Sequence, residues 1–224
     1  MNHPLPVHLK IFVDPQQRVL LALYQMAVEK HNQEVVNNPY PNAGFDLILP
    51  STNVFSRGST YWVDHRIKAS MTTEVSSTPY HPSSSSPSSS SSPSSSSSPS
   101  SSSSHSSSSS SGSIRRREPT GFCLYPRSSL SKTPLMLANH VGIIDSGYSG
   151  FLIGAFRHIM TPESYVTEEG TRLLQICHPT LKPFTVELVN HEEKLFPVQT
   201  SRGDGGFGST DIDTKDICPP PPPK

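Results

Sequence analysis

The chain has no surplus of charge, since 18 Lys and Arg balance 18 Asp and Glu among its 224 residues. A chain without a net field has no long-range hold on a polyanionic duplex or an anionic bilayer, so neither nucleic acid nor membrane is expected as a partner. Cysteine is scarce too. Cys123, Cys177 and Cys218 are odd in number and far apart, which matches neither a zinc site nor a disulfide framework. Reduced thiols in a cytoplasmic protein are the expectation. No apolar run approaches the length of a membrane span, and the first residues lack the basic and continuous apolar regions of a secretory signal. Arg115, Arg116 and Arg117 form the sole basic run; a solvated linker charge is the plain reading and nuclear import the alternative.

What abounds is serine. From Ser83 to Ser111 the sequence is serine broken only by Pro87, Pro93, Pro99 and His105, with no apolar side chain to offset the entropy of ordering it. Residues 76–118, including the basic run, are expected to form a disordered insert, and 212–224, with its five consecutive prolines Pro219 to Pro223, a disordered tail. A surface loop lengthens at small entropic cost, so the insert interrupts one domain (1–75 and 119–211) and does not separate two.

Val7, Leu9, Ile11 and Val13 alternate as in a strand. Asp14-Pro15 then resembles a helix start, with Asp as N-cap, Pro in the first turn and Gln17 completing a capping box; Leu20, Leu23, Tyr24 and Ala27 follow at helical spacing, ending near Asn32. Beyond it come short apolar runs punctuated by Gly, Pro and Asn, among them "GFDLILP", "TYWVDHRIKA", "GFLIGAFRH" and "KPFTVELV". A mainly β barrel or sandwich with one N-terminal helix is the expected fold.

Five stretches carry candidate chemistry. "SRGDGGFGSTD", Ser201 to Asp211, spells an adhesion tripeptide, but no export signal accompanies it; it also has the glycine spacing of a phosphate loop without that loop's lysine. What survives is a mobile arm: glycines expose N–H groups, Arg202 offers a fork for phosphate, and Phe207 offers a ring face for a base. In "ANHVGIIDSGYSGFLIG", Asp145 beside apolar walls suits a general base for water, and Tyr148 is near enough to line the same pocket; an Asx-turn aspartate and a core tyrosine are the structural alternatives. "YPRSSLSKTPL" puts Arg127 beside two hydroxyls, either a phosphate contact or a surface turn. Asp46 in "NAGFDLIL" could hold Mg²⁺ through water if a substrate's phosphates supply the other ligands, or simply face solvent. "EGTRLLQICHP" places Arg172 and Gln175 in an apolar strand, where a pair at the core edge is the alternative.

In this order, "AGFDL", "PRSSL", "NHVGIIDSGYSG", "GTRLLQ" and "RGDGGFGST" resemble the five motifs of the trimeric deoxyuridine triphosphate nucleotidohydrolases (dUTPases), from about Ala43 to Thr210 without the insert. The resemblance implies a jelly-roll β-barrel, a homotrimer with active sites between subunits, and hydrolysis of dUTP to dUMP and pyrophosphate. That reaction limits uracil in DNA and supplies dUMP for thymidylate synthesis. It also implies roles. Asp145 would orient water toward the α-phosphorus, Tyr148 would pack on the deoxyribose, and Asn139 and hairpin backbone would read uracil. Asp46 would place Mg²⁺ through water, with Arg127, Ser128 and Gln175 on the phosphates. Phe207 would stack on uracil, while Arg202, Gly208, Ser209 and Thr210 close on the γ-phosphate from an arm over a neighbouring subunit.

The chain departs from the family pattern at Ser149 (commonly arginine), Phe151 (often an acid), Thr171 (usually aspartate) and Asp211 (a final glycine). The N-terminal helix and the serine insert are additions. Two rival readings stand beside this one. A dCTP deaminase shares "RSSL", but its glutamate belongs between the third and fourth motifs, whereas Glu187 follows the fourth. A non-catalytic regulator of the same fold could use Pro219 to Pro223 to dock an SH3-like domain. An insertion of this kind suits a large DNA virus, acting in its host cell, or a eukaryote.

Overall fold

A computed structural model describes residues 6–77, 114–160, 163–196 and 200–206. The serine stretch, Phe207 to Thr210 and the tail 212–224 lie outside the described residues. Two units divide the chain: Met1–Glu74 with Arg117–Lys224, and Val75–Arg116. The first holds the core.

Its centre is β1 (Val7–Val13), whose alternating Val7, Leu9, Ile11 and Val13 are all buried as the period of two requires. β1 pairs in parallel with β13 (Thr185–Val189), Leu9 facing Val186, and antiparallel with β5 (Ile67–Ser77), Leu9 facing Met71. β6 (Ile114–Thr120) completes this sheet beyond β5. The basic run therefore has strand backbone, which corrects the expectation that it lies in a linker. A ladder satisfies N–H and C=O groups whatever the side chains, so a polar, charged stretch can still pair.

The remaining strands are β2 (Gly44–Leu47), β3 (Asn53–Phe55), β4 (Thr60–Asp64), β7 (Phe122–Pro126), β8 (Leu135–Leu137), β9 (Gly142–Ile144), β10 (Ile153–His158), β11 (Tyr165–Thr167) and β12 (Leu174–Cys177). They form sheets of order β2-β12-β7-β9, β4-β10-β8 and β11-β3 around one core that includes Phe45, Leu47, Phe55, Phe156, Ile176 and Phe184. This is the mainly β, jelly-roll-like class with an N-terminal helix that the sequence led us to expect.

The helix, α1, spans Arg18–Asn37, starting later and running further than the expected 15–32. Asp14 does not cap it. Its carboxylate accepts the Gln16 N–H at 2.9 Å and its carbonyl the Gln17 N–H at 2.9 Å, so Asp14-Pro15 makes a turn before the helix. The helix continues past Asn32 because Val35 still has core to bury against. Three bonds pin it. The Ile48 N–H donates to the Tyr24 hydroxyl at 3.0 Å; Asn32 donates to the Val186 carbonyl and accepts the Val186 N–H, both at 2.8 Å; and His31 Nε2 lies 3.0 Å from the Phe184 carbonyl. Burial lowers the His31 pKa, the hydrogen bond to Phe184 opposing it, so the ring is neutral at pH 7.

Candidate active site in two clefts

The register of β2-β12-β7 sets Asp46 opposite Gln175 and Gln175 opposite Tyr125, so the three share one face of the sheet. Beside them opens a cleft of about 700 Å³, also lined by Arg127, Ser128 and Arg172. Arg127 is fixed by its own N–H, which donates to the Leu173 carbonyl at 2.9 Å. Its Nε stands 2.7 Å from one oxygen of Asp46, and Arg172 approaches the other at 3.6 Å. Asp46 thus sits between two guanidinium groups. Gln175 donates weakly to the Pro126 carbonyl at 3.4 Å and lies over Gly44, where a Cβ would collide with its amide oxygen. Burial pushes the neighbouring Cys177 thiol up to about 11, with Cys123 and Asp46 adding to it, so this thiol stays protonated and supplies no nucleophile.

The first, second and fourth motifs therefore meet, as their expected phosphate role demands. Ser128 is exposed at the rim, opening the 3-10 turn Ser128–Lys132. Asp46, expected to hold Mg²⁺ through water, is engaged here by arginine. Both its oxygens are turned to arginine, and no three His, Cys, Asp or Glu side chains converge among the described residues. Arg172 is the residue that sequence reasoning passed over; the "TRLLQ" spacing alone left it at the core edge.

A second cleft, about 210 Å³, is built on the turn between β8 and β9 and on the turn after β9. Asn139, Ile143, Asp145, Tyr148, Arg202, Gly205 and Gly206 line it. His140 turns the first loop with φ +60° and Gly147 turns the second loop with φ +107°. Tyr148 donates its N–H to the Asp145 carbonyl at 3.1 Å and its hydroxyl to the Phe151 carbonyl at 3.0 Å, which holds the ring as one wall. Asp145 stays more than half exposed and accepts from Arg202 Nε at 2.8 Å. Two backbone ties carry the same segment: Thr200 Oγ1 donates to the Gly147 carbonyl at 2.5 Å, and the Ser149 N–H donates to the Gly203 carbonyl at 3.0 Å.

So the third motif and the start of the fifth converge within one chain. Arg202, expected on a phosphate, meets Asp145 here. Phe207, Gly208, Ser209 and Thr210, and the departure at Asp211, lie outside the described residues. At the other departures, the Ser149 N–H ties the arm and the Thr171 carbonyl accepts the Leu49 N–H at 2.9 Å, backbone contacts that any residue there would make, while Phe151 carries Lys68 over its ring at 5.0 Å. Glu187, the deaminase candidate, is on β13 and pairs with His8 at 3.0 Å, away from both clefts.

The two clefts share no lining residue. Asp46, Arg127, Ser128 and Gln175 belong to one, and Asn139, Asp145, Tyr148 and Arg202 to the other.

No family model matches the chain. Among curated proteins, the deoxyuridine 5'-triphosphate nucleotidohydrolase of Legionella pneumophila (strain Paris) is 33% identical over 105 residues, covering 41% of this chain and 64% of that protein. The enzyme of the same name from Escherichia phage T5 is 38% identical over 86 residues, covering 38% and 54%, and that from Mycobacterium leprae (strain TN) 31% over 88 residues, covering 39% and 57%. The chain thus spans between about half and two thirds of the length of these relatives. Among solved structures, a dUTPase from Streptococcus mutans superposes loosely, with a TM-score of 0.37 and 18% identity over 71% of this chain and 92% of its own. No helix among the described residues is long and apolar enough to cross a membrane. The ordered motifs resemble those of dUTPases, and the curated proteins similar to the chain over these stretches are dUTPases.

Proposed function

We propose that the chain hydrolyses dUTP, taken as its Mg²⁺ complex, to dUMP and pyrophosphate, and that it works as a homotrimer. Each active site joins the Asp46–Arg127 cleft of one subunit to the Asp145 cleft of another. The separation of the two half-sites is the observation that supports this most directly. In one chain the phosphate-type residues and the base candidate line different clefts with no wall in common, and closed rotational symmetry brings unlike surfaces of neighbouring copies together.

The chemistry follows from the groups present. Asp145 is exposed to solvent and can accept a proton from a water as that water attacks the α-phosphorus. The α–β phosphoanhydride bond then breaks and pyrophosphate leaves. Arg127 and Arg172 would stabilise charge spreading onto the leaving phosphates, and neither needs to move a proton. Tyr148, fixed by the Phe151 carbonyl, presents its ring where a deoxyribose would pack, and the Asn139 turn offers backbone groups to a pyrimidine edge. Arg202 must first leave Asp145; the triphosphate offers its guanidinium a more highly charged partner.

Pyrophosphate release is the test, measured with dUTP, dCTP, dTTP and UTP on the full chain and on Asp145→Asn. Release from dUTP alone, lost in the variant, is the expected result. Release from dUTP that survives Asp145→Asn would remove the base assignment, and no release from any of the four would remove the activity.

A further inference from the structure

The phosphate-type cleft has a wall that the five motifs do not supply. Ala27, Lys30, His31 and Glu34 of α1 line it, at helical spacings of three and four that put them on one stripe. This stripe is not a loosely attached face. Tyr24, His31 and Asn32 lock the helix to Ile48, Phe184 and Val186, so the position of Lys30 relative to Asp46 is set by buried bonds. Among the described residues, the Lys30 ammonium makes no hydrogen bond or ion pair, whereas Arg127 and Arg172 both face Asp46. His31, neutral, adds no charge. With Glu34 and Asp46 against three cations, the cleft keeps one positive charge in excess, and that charge belongs to the unpaired lysine.

We propose that α1 forms the outer wall of the polyphosphate half-site and that Lys30 binds the terminal phosphates of the nucleotide. This rests on the reading of the cleft as the phosphate side of the site. A flexible ammonium with three donors suits the outer end of a phosphate chain, whose oxygens are solvated and several, while the two arginine forks beside Asp46 suit the part nearer the reacting bond. The helix thereby becomes part of the binding machinery as well as of the core.

The test uses the full chain and inorganic pyrophosphate, with binding followed by calorimetry at low and moderate salt and dUTP turnover measured in parallel. Lys30→Gln is expected to weaken pyrophosphate roughly five- to tenfold and raise KM for dUTP by a similar factor with kcat unchanged. The salt dependence of binding should become shallower, and Lys30→Arg should restore most of the affinity. Lys10→Gln, whose amine bonds to the Lys194 carbonyl outside the cleft, is the control expected to change nothing. Pyrophosphate affinity within twofold of the parent in Lys30→Gln overturns the proposal, and continued dUTP turnover in that variant leaves the proposed function standing. Lys30-dependent binding of pyrophosphate without dUTP turnover supports the lysine site and removes the proposed substrate.

Discussion

His65 ties the acid stability of the fold to the loop that carries Asp145. It is fully buried; its Nδ1 lies 3.4 Å from the Ile48 carbonyl, and its Nε2 has no partner among the described residues. Burial pushes its pKa down to about 4 from the ordinary 6.5, the Ile48 carbonyl opposing only in part. A folded pKa below the unfolded one means that the unfolded chain takes up the proton first. Stability from this group is therefore complete above pH 6.5 and declines as pH falls toward 4, where the loss levels off. At pH 5 the gap corresponds to about 2 kcal/mol, and below pH 4 to about 3 kcal/mol. The His65 N–H donates to the Leu152 carbonyl at 2.9 Å, and the Leu152 N–H to the Ile67 carbonyl at 2.8 Å, so a proton on this ring strains the strand entering β10 directly after the Tyr148 turn. Urea unfolding at pH 7.5 and pH 5.0, for the parent and for His65→Gln, reads the effect. The parent should lose about 2 kcal/mol more than the variant between these pH values, with His31 and His178, also lowered by burial, contributing equally to both proteins. Equal losses in parent and variant would refute the reasoning.

Three further outcomes follow from the same geometry. Tyr24→Phe strands the buried Ile48 N–H and should cost about 1–2 kcal/mol in chemical denaturation with no change in substrate preference. Gly147→Ala meets both a φ of +107° and Thr200, whose Cβ would lie 3.2 Å from the new methyl; thermal melts should show a loss of about 1–2 kcal/mol, and the Thr200 tie to the Asp145 loop should fail. Arg172→Ala leaves Asp46 its closer partner Arg127 but removes one cation from the leaving phosphates, so steady-state kinetics should give a kcat for dUTP lowered severalfold or more.

The sequence exposed the strands and the motif order well, because period-two burial and short local signatures are local properties. β1 is the clear case, with its four alternating apolar residues all in the core. The start of α1 was misplaced because an Asp-Pro pair satisfies an Asx-turn as readily as a helix cap, and only the carboxylate's actual partner, the Gln16 N–H, tells them apart. Its end was misplaced because Val35 is held by tertiary packing that no local pattern records. Arg172 and Lys30 were illegible as cleft residues for a related reason. They share a cleft with Asp46 only through the pairing of β2 with β12 and the docking of α1 on β13. The Asp145–Arg202 contact spans 57 residues and likewise becomes visible only in three dimensions.

The most direct test of the shared site is subunit complementation. Asp145→Asn and Arg127→Ala should each be inactive alone, since one spoils the base cleft and the other the phosphate cleft. Refolded together in equal amounts, they should regain about a quarter of the parent's rate. Three in four random trimers are mixed, and each mixed trimer contains one interface at which both intact halves meet. Mixed trimers, verified by mass, that show no dUTP turnover would contradict a site assembled between subunits.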